Sequence, residues 1–481
     1  MTRDNNSVSS RERDMERGEN QGSLGFIAAI VAVATIGGLL FGYDSGAVNG
    51  TQDGLRAAFG LSDASLGFTV GSLLIGCFIG AFLAGRLADV FGRRNVMMVA
   101  AALFLCGALV QGASHDHIIF LIARLCGGMA VGTASVLSPA YISEVAPANI
   151  RGRMTTIQQV MIITGLTAAF VVNYFLAKAA GKSTNMWWGG FEAWRWMYLM
   201  QALPAAVFLV ALFFIPESPR FLVSRKRDDE AATVLTRLFG AAEAKVKLTE
   251  IKGSFSKDHR PRFSDVLAPG TLFRPIVWAG LVIAVFQQLV GINVIFYYGE
   301  TLWKLAGATE DTALQRNIIS GLVSIAACFV TIMFVDKIGR KPLLLIGSAG
   351  MAVALFAMVF AFHSGSLDAA GNLQLSVHNG WIAVIAANLY VIFFNASWGP
   401  IMWVMLGEMF PNQIRGSALA VCGFAQWFAN YLIAQSFPVM AAKLGLTPTY
   451  TFYAVSAVIS FFLVKSFIHE TKGKELEQME G

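Results

Sequence analysis

Long apolar stretches, each close to the length that a helix needs to cross a lipid bilayer, run through almost the whole sequence. A membrane-spanning helix needs about 20 residues, and all its backbone polar groups are paired within the segment. Twelve such stretches lie between residues 24 and 464. Only 14% of the residues are charged, which is too few to cover a soluble protein of this length. The sequence therefore predicts an all-α integral membrane protein.

The apolar stretches form two sets of six on either side of a charged segment. We predict a polar tail at residues 1–23, a first six-helix half at 24–216 and a second half at 275–464. The charged segment 217–274 is predicted to form short amphipathic helices, and residues 465–481 form a second tail.

Basic residues give the orientation. Most of the 36 Lys and Arg residues lie in the two tails, the linker and the loops that share their side. Cytoplasmic loops carry the excess of basic residues, so we predict a multi-pass protein of a bacterial inner membrane with both termini in the cytoplasm. The loops on the other side hold Arg56, Lys178, Lys182, Arg195, Lys304, Arg316 and Lys443.

Two loop motifs occur once in each half. The motif D-x-x-G-R-[RK] begins at Asp89 and again at Asp336, and EVAPANIRG after the fourth span recurs as EMFPNQIRG after the tenth. Such repeats indicate two halves related by duplication, the layout of transporters whose substrate site lies between the halves. Since carboxylates contribute little to membrane orientation, we predict that they pair with arginines as a cytoplasmic gate when that side is closed. The predicted gate residues are Arg86, Asp89, Arg93, Arg94, Glu144, Arg151, Glu217, Arg220, Asp336, Arg340, Glu408 and Arg415.

Two formal charges lie inside the apolar stretches, Asp44 in the first and Arg124 in the fourth. Each costs about 2.5 to 3.5 kcal/mol at the centre of a span. Counted along spans of opposite direction, the two residues reach a similar depth, where opposite charges can pair. A carboxyl group whose surroundings alternate between dry and wet can bind and release a proton. The alternative is that Asp44 lies at the end of its span and that Arg124 extends to the interface.

Polar side chains concentrate in a few spans. In the seventh, Gln288 and Asn293 converge on one ligand only if the helix is interrupted near Gly291. A single amide in a membrane helix usually serves packing, but a set of amides and indoles suits a neutral polyhydroxylated ligand. The polar residues of the fifth, seventh, tenth and eleventh spans include Gln158, Gln159, Gln287, Gln288, Asn293, Tyr297, Tyr298, Asn395, Trp398, Trp403, Gln426, Trp427 and Asn430.

The combined motifs resemble the sugar porters of the major facilitator superfamily. GGLLFGYDSG, GRLADVFGRR, PESPRFL, QQLVGINVIFYY and DKIGRK occur in the order typical of that family. The resemblance implies the major facilitator fold, with Asp44 as the proton-binding carboxylate and Arg124 as its partner. It also implies sugar contacts at Phe41, Gln159, Gln287, Gln288, Asn293, Tyr297, Trp398, Gln426 and Trp427, together with Ser324, which stands where many members have a sugar-binding Asn.

Three departures from the family pattern affect the expected substrate. These are Ser324, Leu166 in place of a second Gln found in a xylose-transporting member, and HETKG in place of PETKG. We therefore expect a hexose such as glucose, with a pentose or an inositol as alternatives. The predicted function is uptake of one monosaccharide with a proton by alternating access, through a monomer with no cofactor and no metal.

The sequence leaves three alternative functions to compare with this prediction. A facilitative sugar uniporter would have Asp44 present but uncoupled. A transporter-like sugar sensor would need a signalling domain, for which the tails and the linker are short. An integral-membrane enzyme is not supported by any HExxH, GxSxG or nucleotide-binding motif, and scattered basic residues argue against a nucleic-acid partner.

Overall fold

A computed structural model describes residues 24–146, 148–257, 266–268, 270, 272–367, 373–411 and 414–471. The tail 1–23 and residues 472–481 lie outside the described residues. Within the described ranges, twelve helices are long and apolar enough to cross a membrane. The predicted all-α fold with twelve spans is therefore confirmed. The described residues also form one small antiparallel sheet, of Ser366–Leu367 and Leu373–Gln374.

Most spans are single helices. Spans 1 to 5 are Leu24–Asn49, Asp63–Phe91, Arg93–Ala113, His117–Val145 and Ala148–Ala180. Spans 8, 9, 11 and 12 are Glu310–Ile338, Arg340–His363, Arg415–Leu444 and Leu446–Phe467.

Three spans are interrupted near their middle. Span 6 consists of Ala193–Leu199 and Ala202–Leu212, span 7 of Pro275–Leu289 and Ile292–Leu305, and span 10 of Val377–Asn395 and Trp398–Met409. In span 7 the break lies at Gly291, whose φ of 87° is left-handed, a conformation that glycine adopts without steric cost. The interruption that the amide spacing predicts is therefore present. In span 10 the new helix carries Pro400 in its first turn, where a missing N–H leaves no bond unmade.

Shorter helices lie outside the spans. Gln52–Phe59 follows span 1, a single 3₁₀ turn forms at Trp188–Gly190, and three linker helices cover Pro219–Ser224, Asp228–Phe239 and Ala241–Lys257. We call the face that carries the three linker helices the linker side and the opposite face the distal side.

The helix contacts repeat between the halves. Span 1 packs along span 5 as span 7 packs along span 11, and span 2 packs along span 4 as span 8 packs along span 10. The two halves meet where span 2 packs against span 11 and where span 5 packs against span 8. Since lipid gives no hydrophobic force between helices, such pairs depend on close packing of small residues. At Gly128 in span 4, for example, a Cβ atom would overlap the carbonyl oxygen of Leu73 in span 2.

Candidate substrate and proton sites

A cavity of about 1300 Å³ lies between the two halves. Spans 1, 2, 4 and 5 of the first half and spans 7, 10 and 11 of the second form its wall. At one end the wall includes Arg220, Lys247 and Glu250 of the linker segment. The cavity therefore opens on the linker side.

On the distal side, hydrogen bonds from the end of span 1 join the halves. The buried Asn49 donates from Nδ2 to the carbonyl oxygen of Phe296 over 2.8 Å. Its Oδ1 accepts from the backbone N–H of Glu300 at 3.1 Å and from Nδ2 of Asn317 at 2.7 Å. The distal side is therefore closed while the linker side is open, and we call this conformation linker-open.

A distortion of span 7 makes this closure possible. Tyr298 has φ −119° and ψ 18°, outside the helical range, which leaves carbonyl groups before it available to other donors. Gln52 donates from Nε2 to the carbonyl oxygen of Tyr297 at 2.5 Å, and its Oε1 accepts from the hydroxyl of Thr301 at 2.6 Å. Side-chain amides of the first half thus satisfy backbone groups of the second.

A chain of amides lines the inner part of the cavity. Gln287 Oε1 accepts from Nε2 of Gln288 at 2.8 Å and from Nε2 of Gln426 at 3.2 Å. Asn293 donates from Nδ2 to Gln288 Oε1 at 2.5 Å, so the break at Gly291 does bring the amides on its two sides together. The interrupted helix and span 11 therefore present one connected polar surface.

This polar surface keeps unused acceptors. Within the described residues, the side-chain oxygens of Gln158, Gln426 and Asn430 are buried without a hydrogen-bond partner. Beside them, the rings of Phe41 and Trp427 meet edge to face, with centroids 5.2 Å apart. Open acceptors next to aromatic rings match a ligand that has hydroxyl groups and a less polar C–H face.

Seven of the predicted sugar contacts line the cavity together. They are Phe41, Gln159, Gln287, Gln288, Asn293, Gln426 and Trp427. The wall also includes other polar and aromatic residues of the spans, among them Gln158, Asn395, Trp403 and Asn430.

Three predicted contacts lie outside the cavity wall in the linker-open conformation, and their contact with sugar stays a prediction. The hydroxyl of Ser324 donates to the carbonyl oxygen of Ser320 at 2.7 Å in its own helix. The indole N–H of Trp398 donates away from the cavity, to Ser348 Oγ at 3.0 Å. The hydroxyl of Tyr297 is buried and bonds to Nδ2 of Asn430 at 3.2 Å.

Asp44 and Arg124 form an ion pair inside the first half. Arg124 Nη2 and Asp44 Oδ2 are 3.7 Å apart, and the two side chains are 1% and 0% exposed. Arg124 is held by the carbonyl oxygens of Thr69 and Val70, each at 3.1 Å. By contrast, neither carboxylate oxygen of Asp44 has a hydrogen-bond partner among the described residues. A buried carboxylate whose main partner is one cation suits reversible protonation.

The predicted gate residues of the first half form ion pairs at its linker side. Arg93 lies 3.2 Å from Glu144 and 3.2 Å from Asp89. The hydroxyl of Ser218 donates to Glu144 through a short hydrogen bond. The carboxylate of Glu217 accepts a hydrogen bond from the backbone N–H of Arg93 at 2.9 Å, where span 3 begins. A carboxylate at the N-terminus of a helix is favoured by the helix dipole.

The second half repeats this arrangement. Arg340 Nη2 lies 2.8 Å from Glu408, and the hydroxyl of Thr471 donates to Glu408 at 2.7 Å. Glu470 accepts from the backbone N–H groups of Arg340 and Lys341, at 3.0 and 2.9 Å, where span 9 begins. Glu470 was missed in the sequence, although ETKG follows span 12 as ESPR follows span 6.

Both networks lie within one half each, and they are formed while the linker side is open. In this conformation they brace the halves internally, and the closed gate stays a prediction. Arg86 is exposed beside the ring of Phe82, Arg94 donates to the carbonyl oxygen of Leu212, and Arg220 lines the cavity mouth. The side chains of Arg151, Asp336 and Arg415 lie outside the described part of the structure.

Comparison with known proteins agrees with this architecture. Residues 30–481 match the family described as "Sugar (and other) transporter". The glucose transport protein of Synechocystis sp. (strain ATCC 27184 / PCC 6803 / Kazusa) is 44% identical over 94% of this chain and 97% of its own length. The D-xylose-proton symporter of Escherichia coli (strain K12) is 38% identical, with 95% of each chain covered.

A solved structure shows the same fold. The partially occluded inward open conformation of the xylose transporter XylE from E. coli superposes with a TM-score of 0.80 at 36% identity, covering 94% of this chain and 100% of that one. The twelve spans, the repeated halves and the matched residues lead to one conclusion: the chain belongs to the sugar transporter family of the major facilitator superfamily.

Proposed function

We propose that this protein takes up a monosaccharide together with a proton, by alternating access of the cavity between its halves. The observation that carries the proposal is the connected amide surface around Gln287, together with the buried pair of Asp44 and Arg124 one turn away from Phe41. Two relatives support the proposal, one named as a glucose transport protein and the other as a D-xylose-proton symporter.

The charge distribution favours a neutral substrate. The inner wall of the cavity carries amides, hydroxyls and aromatic rings, while its charged residues, such as Glu144, Arg220 and Glu408, belong to the linker-side mouth. A charged ligand bound among amides would lack a counter-ion at a dehydrated site. A sugar satisfies the amides with its hydroxyl groups and stays neutral.

A hexose such as glucose is the substrate we propose. Leu166 lines the cavity, which puts an apolar side chain where a xylose-transporting relative has an amide. The glucose transport protein of Synechocystis supports the same choice.

Span 1 provides a direct link between proton, sugar and closure. In one helix it carries Phe41 at the cavity, Asp44 at the ion pair and Asn49 at the distal closure. Protonation of Asp44 removes its attraction to Arg124, so the pairing state of span 1 changes when the proton binds. A shift of this helix then changes the wall of the sugar site and the distal hydrogen bonds at the same time.

We further propose that the linker side faces the cytoplasm of a bacterial cell and that the protein works as a monomer. The excess of basic residues on that side supports the orientation. The linker-open conformation is then the one that releases sugar into the cell.

Sugar counterflow into proteoliposomes tests the substrate. We expect vesicles preloaded with unlabelled glucose to exchange it for labelled glucose, and competition by a panel of pentoses, hexoses and inositols ranks the ligands. Gln287→Ala should reduce exchange, whereas Asn95→Ala should not, because this exposed amide bonds to the carbonyl oxygen of Phe91 within the first half. Absence of exchange for every sugar in the panel would refute the proposal and favour a sensor.

A further inference from the structure

A second group of charged side chains lies at the distal closure, apart from the Asp44 pair and from the sugar cavity. Glu300 and Lys304 are one turn apart in span 7, with Oε1 and Nζ at 3.5 Å. Lys304 also forms a short ion pair with Asp53, which belongs to the first half. The group therefore joins the halves while the distal side is closed.

The three side chains differ sharply in their contact with water. The side chain of Glu300 is 3% exposed, against 29% for Lys304 and 39% for Asp53. Among the described residues, Glu300 Oε2 is buried without any hydrogen-bond partner. Of the three side chains, Glu300 alone is therefore shielded from water.

Charge does not balance around Glu300. Two carboxylates share the single ammonium group of Lys304, and Asp53 is the closer of the two. The ionisable groups that act on Glu300 from the neighbouring elements are Lys304 on its own helix, Asp53 on helix Gln52–Phe59, and Glu310 at the start of span 8. Two of these three are negative, so an ionised Glu300 would add a net negative charge at a dehydrated position.

Opening the distal side changes these surroundings. Asp53 then departs with the first half, water reaches Glu300, and Lys304 becomes available to it as a partner. A carboxyl group keeps its proton more readily when it is dry and poorly paired than when it is hydrated beside a cation. The two conformations therefore differ in how tightly they hold a proton at this position.

We propose that Glu300 is a second proton-binding site, occupied when the distal side is closed and empty when it is open. The proton passes between distal water and Glu300 Oε2, and no other bond forms or breaks. Because Glu300 exchanges with the distal side only, its proton is not transported, unlike the proton at Asp44. Acid on the distal side then favours distal closure in loaded and empty carriers alike.

Spin-label distances in the purified full-length protein test this site. One label replaces the exposed Lys182 of the first half and the other the exposed His378 of the second, in a background without the five native cysteines and with Asp44→Asn. We call these the distal labels. In this background the fraction of molecules with a closed distal side should rise as the pH falls from about 9 to 5. The Glu300→Gln protein should lose this pH dependence and keep its distal side closed.

Asp53→Asn gives an independent readout. Without Asp53, the ammonium group of Lys304 stabilises the ionised form of Glu300 more strongly. The pH midpoint of distal closure should therefore fall by about one unit or more, which is a tenfold or larger change in proton affinity. Asp63→Asn is the matched control, because this distal carboxylate pairs with Arg56 instead, and its midpoint should not move. If Glu300→Gln does not fold, the Asp53→Asn shift decides alone.

Two results would overturn the inference. One is that Glu300→Gln keeps the pH dependence of the parent protein. The other is that Asp53→Asn leaves the midpoint in place or moves it to higher pH. The inference rests on the alternating access of the proposed function, but the distance measurement requires no transport. A failure of sugar uptake and a failure of this site therefore give different results.

Discussion

Asn49 offers a strong test of how the distal side is held closed. Its side chain makes three hydrogen bonds to the second half, with Phe296, Glu300 and Asn317. Asn49→Ala removes all three at once. Each buried hydrogen bond contributes about 0.5 to 1.5 kcal/mol net, so the closed conformation should lose roughly 1.5 to 4.5 kcal/mol relative to the distally open one.

This loss is large compared with a balanced equilibrium. At 1.36 kcal/mol per factor of ten, it shifts the ratio of closed to open molecules by roughly ten- to two-thousandfold. The distances between the distal labels report that ratio directly. We expect Asn49→Ala to move molecules from the shorter-distance closed population to a longer-distance population.

Thr51→Ala is the control for this prediction. Thr51 is also buried, but its hydroxyl bonds only within the first half, to the carbonyl oxygen of Val48 and to Tyr198. An unchanged distance distribution in a folded Asn49→Ala protein would refute the reasoning. So would an equal shift in Thr51→Ala, because general destabilisation would then explain both.

Three further changes have expected outcomes. Gln287→Ala should raise the KM for sugar exchange by about 5- to 100-fold, since it removes the acceptor at the centre of the amide chain and about 1 to 3 kcal/mol of hydrogen bonding; an unchanged KM in counterflow would contradict this. Gly291→Ala should lower the Tm, because it places a side chain at φ 87° against the ring of Tyr453 at a cost of about 1 to 2 kcal/mol or more; thermal unfolding in detergent measures it. Glu470→Gln should lower the Tm by a smaller amount, from the loss of about 0.3 to 1 kcal/mol at the start of span 9, and Glu217→Gln should match it if the halves are equivalent.

Much of the fold follows from the sequence because lipid restricts what a chain can form. Twelve apolar stretches leave little freedom beyond twelve helices, and the repeated loop motifs indicate the two halves. The break at Gly291 was also predictable, since Gln288 and Asn293 cannot reach each other's side of an unbroken helix. The structure places their amides 2.5 Å apart.

The position of Trp398 depends on helix register, which the sequence does not show. Span 10 stops at Asn395 and restarts at Trp398, so residues after the break face directions that a continuous helix would not give them. As a result Trp398 contacts span 9, and Trp403 lines the cavity. A sequence pattern shows that a helix can break there, but not the rotation across the break.

The distal closure was invisible for a different reason. Asn49 and Gln52 bind backbone groups of span 7 that are available because Tyr298 departs from helical geometry. A sequence does not show which backbone carbonyl groups are available to accept a hydrogen bond from another helix. Glu470 is the opposite case, since its position after span 12 mirrors that of Glu217 after span 6, and comparison of the two segments would have found it.

In the proposed mechanism proton binding at Asp44 drives sugar accumulation, and accumulation in proteoliposomes under an imposed inward proton gradient tests this mechanism directly. A potential of 100 mV supplies about 2.3 kcal/mol per charge, enough for roughly 50-fold accumulation. The mechanism predicts that the wild type concentrates its sugar toward that limit only when the gradient is present, and that Asp44→Asn exchanges sugar without concentrating it. Equilibration without accumulation in the wild type, or full accumulation by Asp44→Asn, would contradict it.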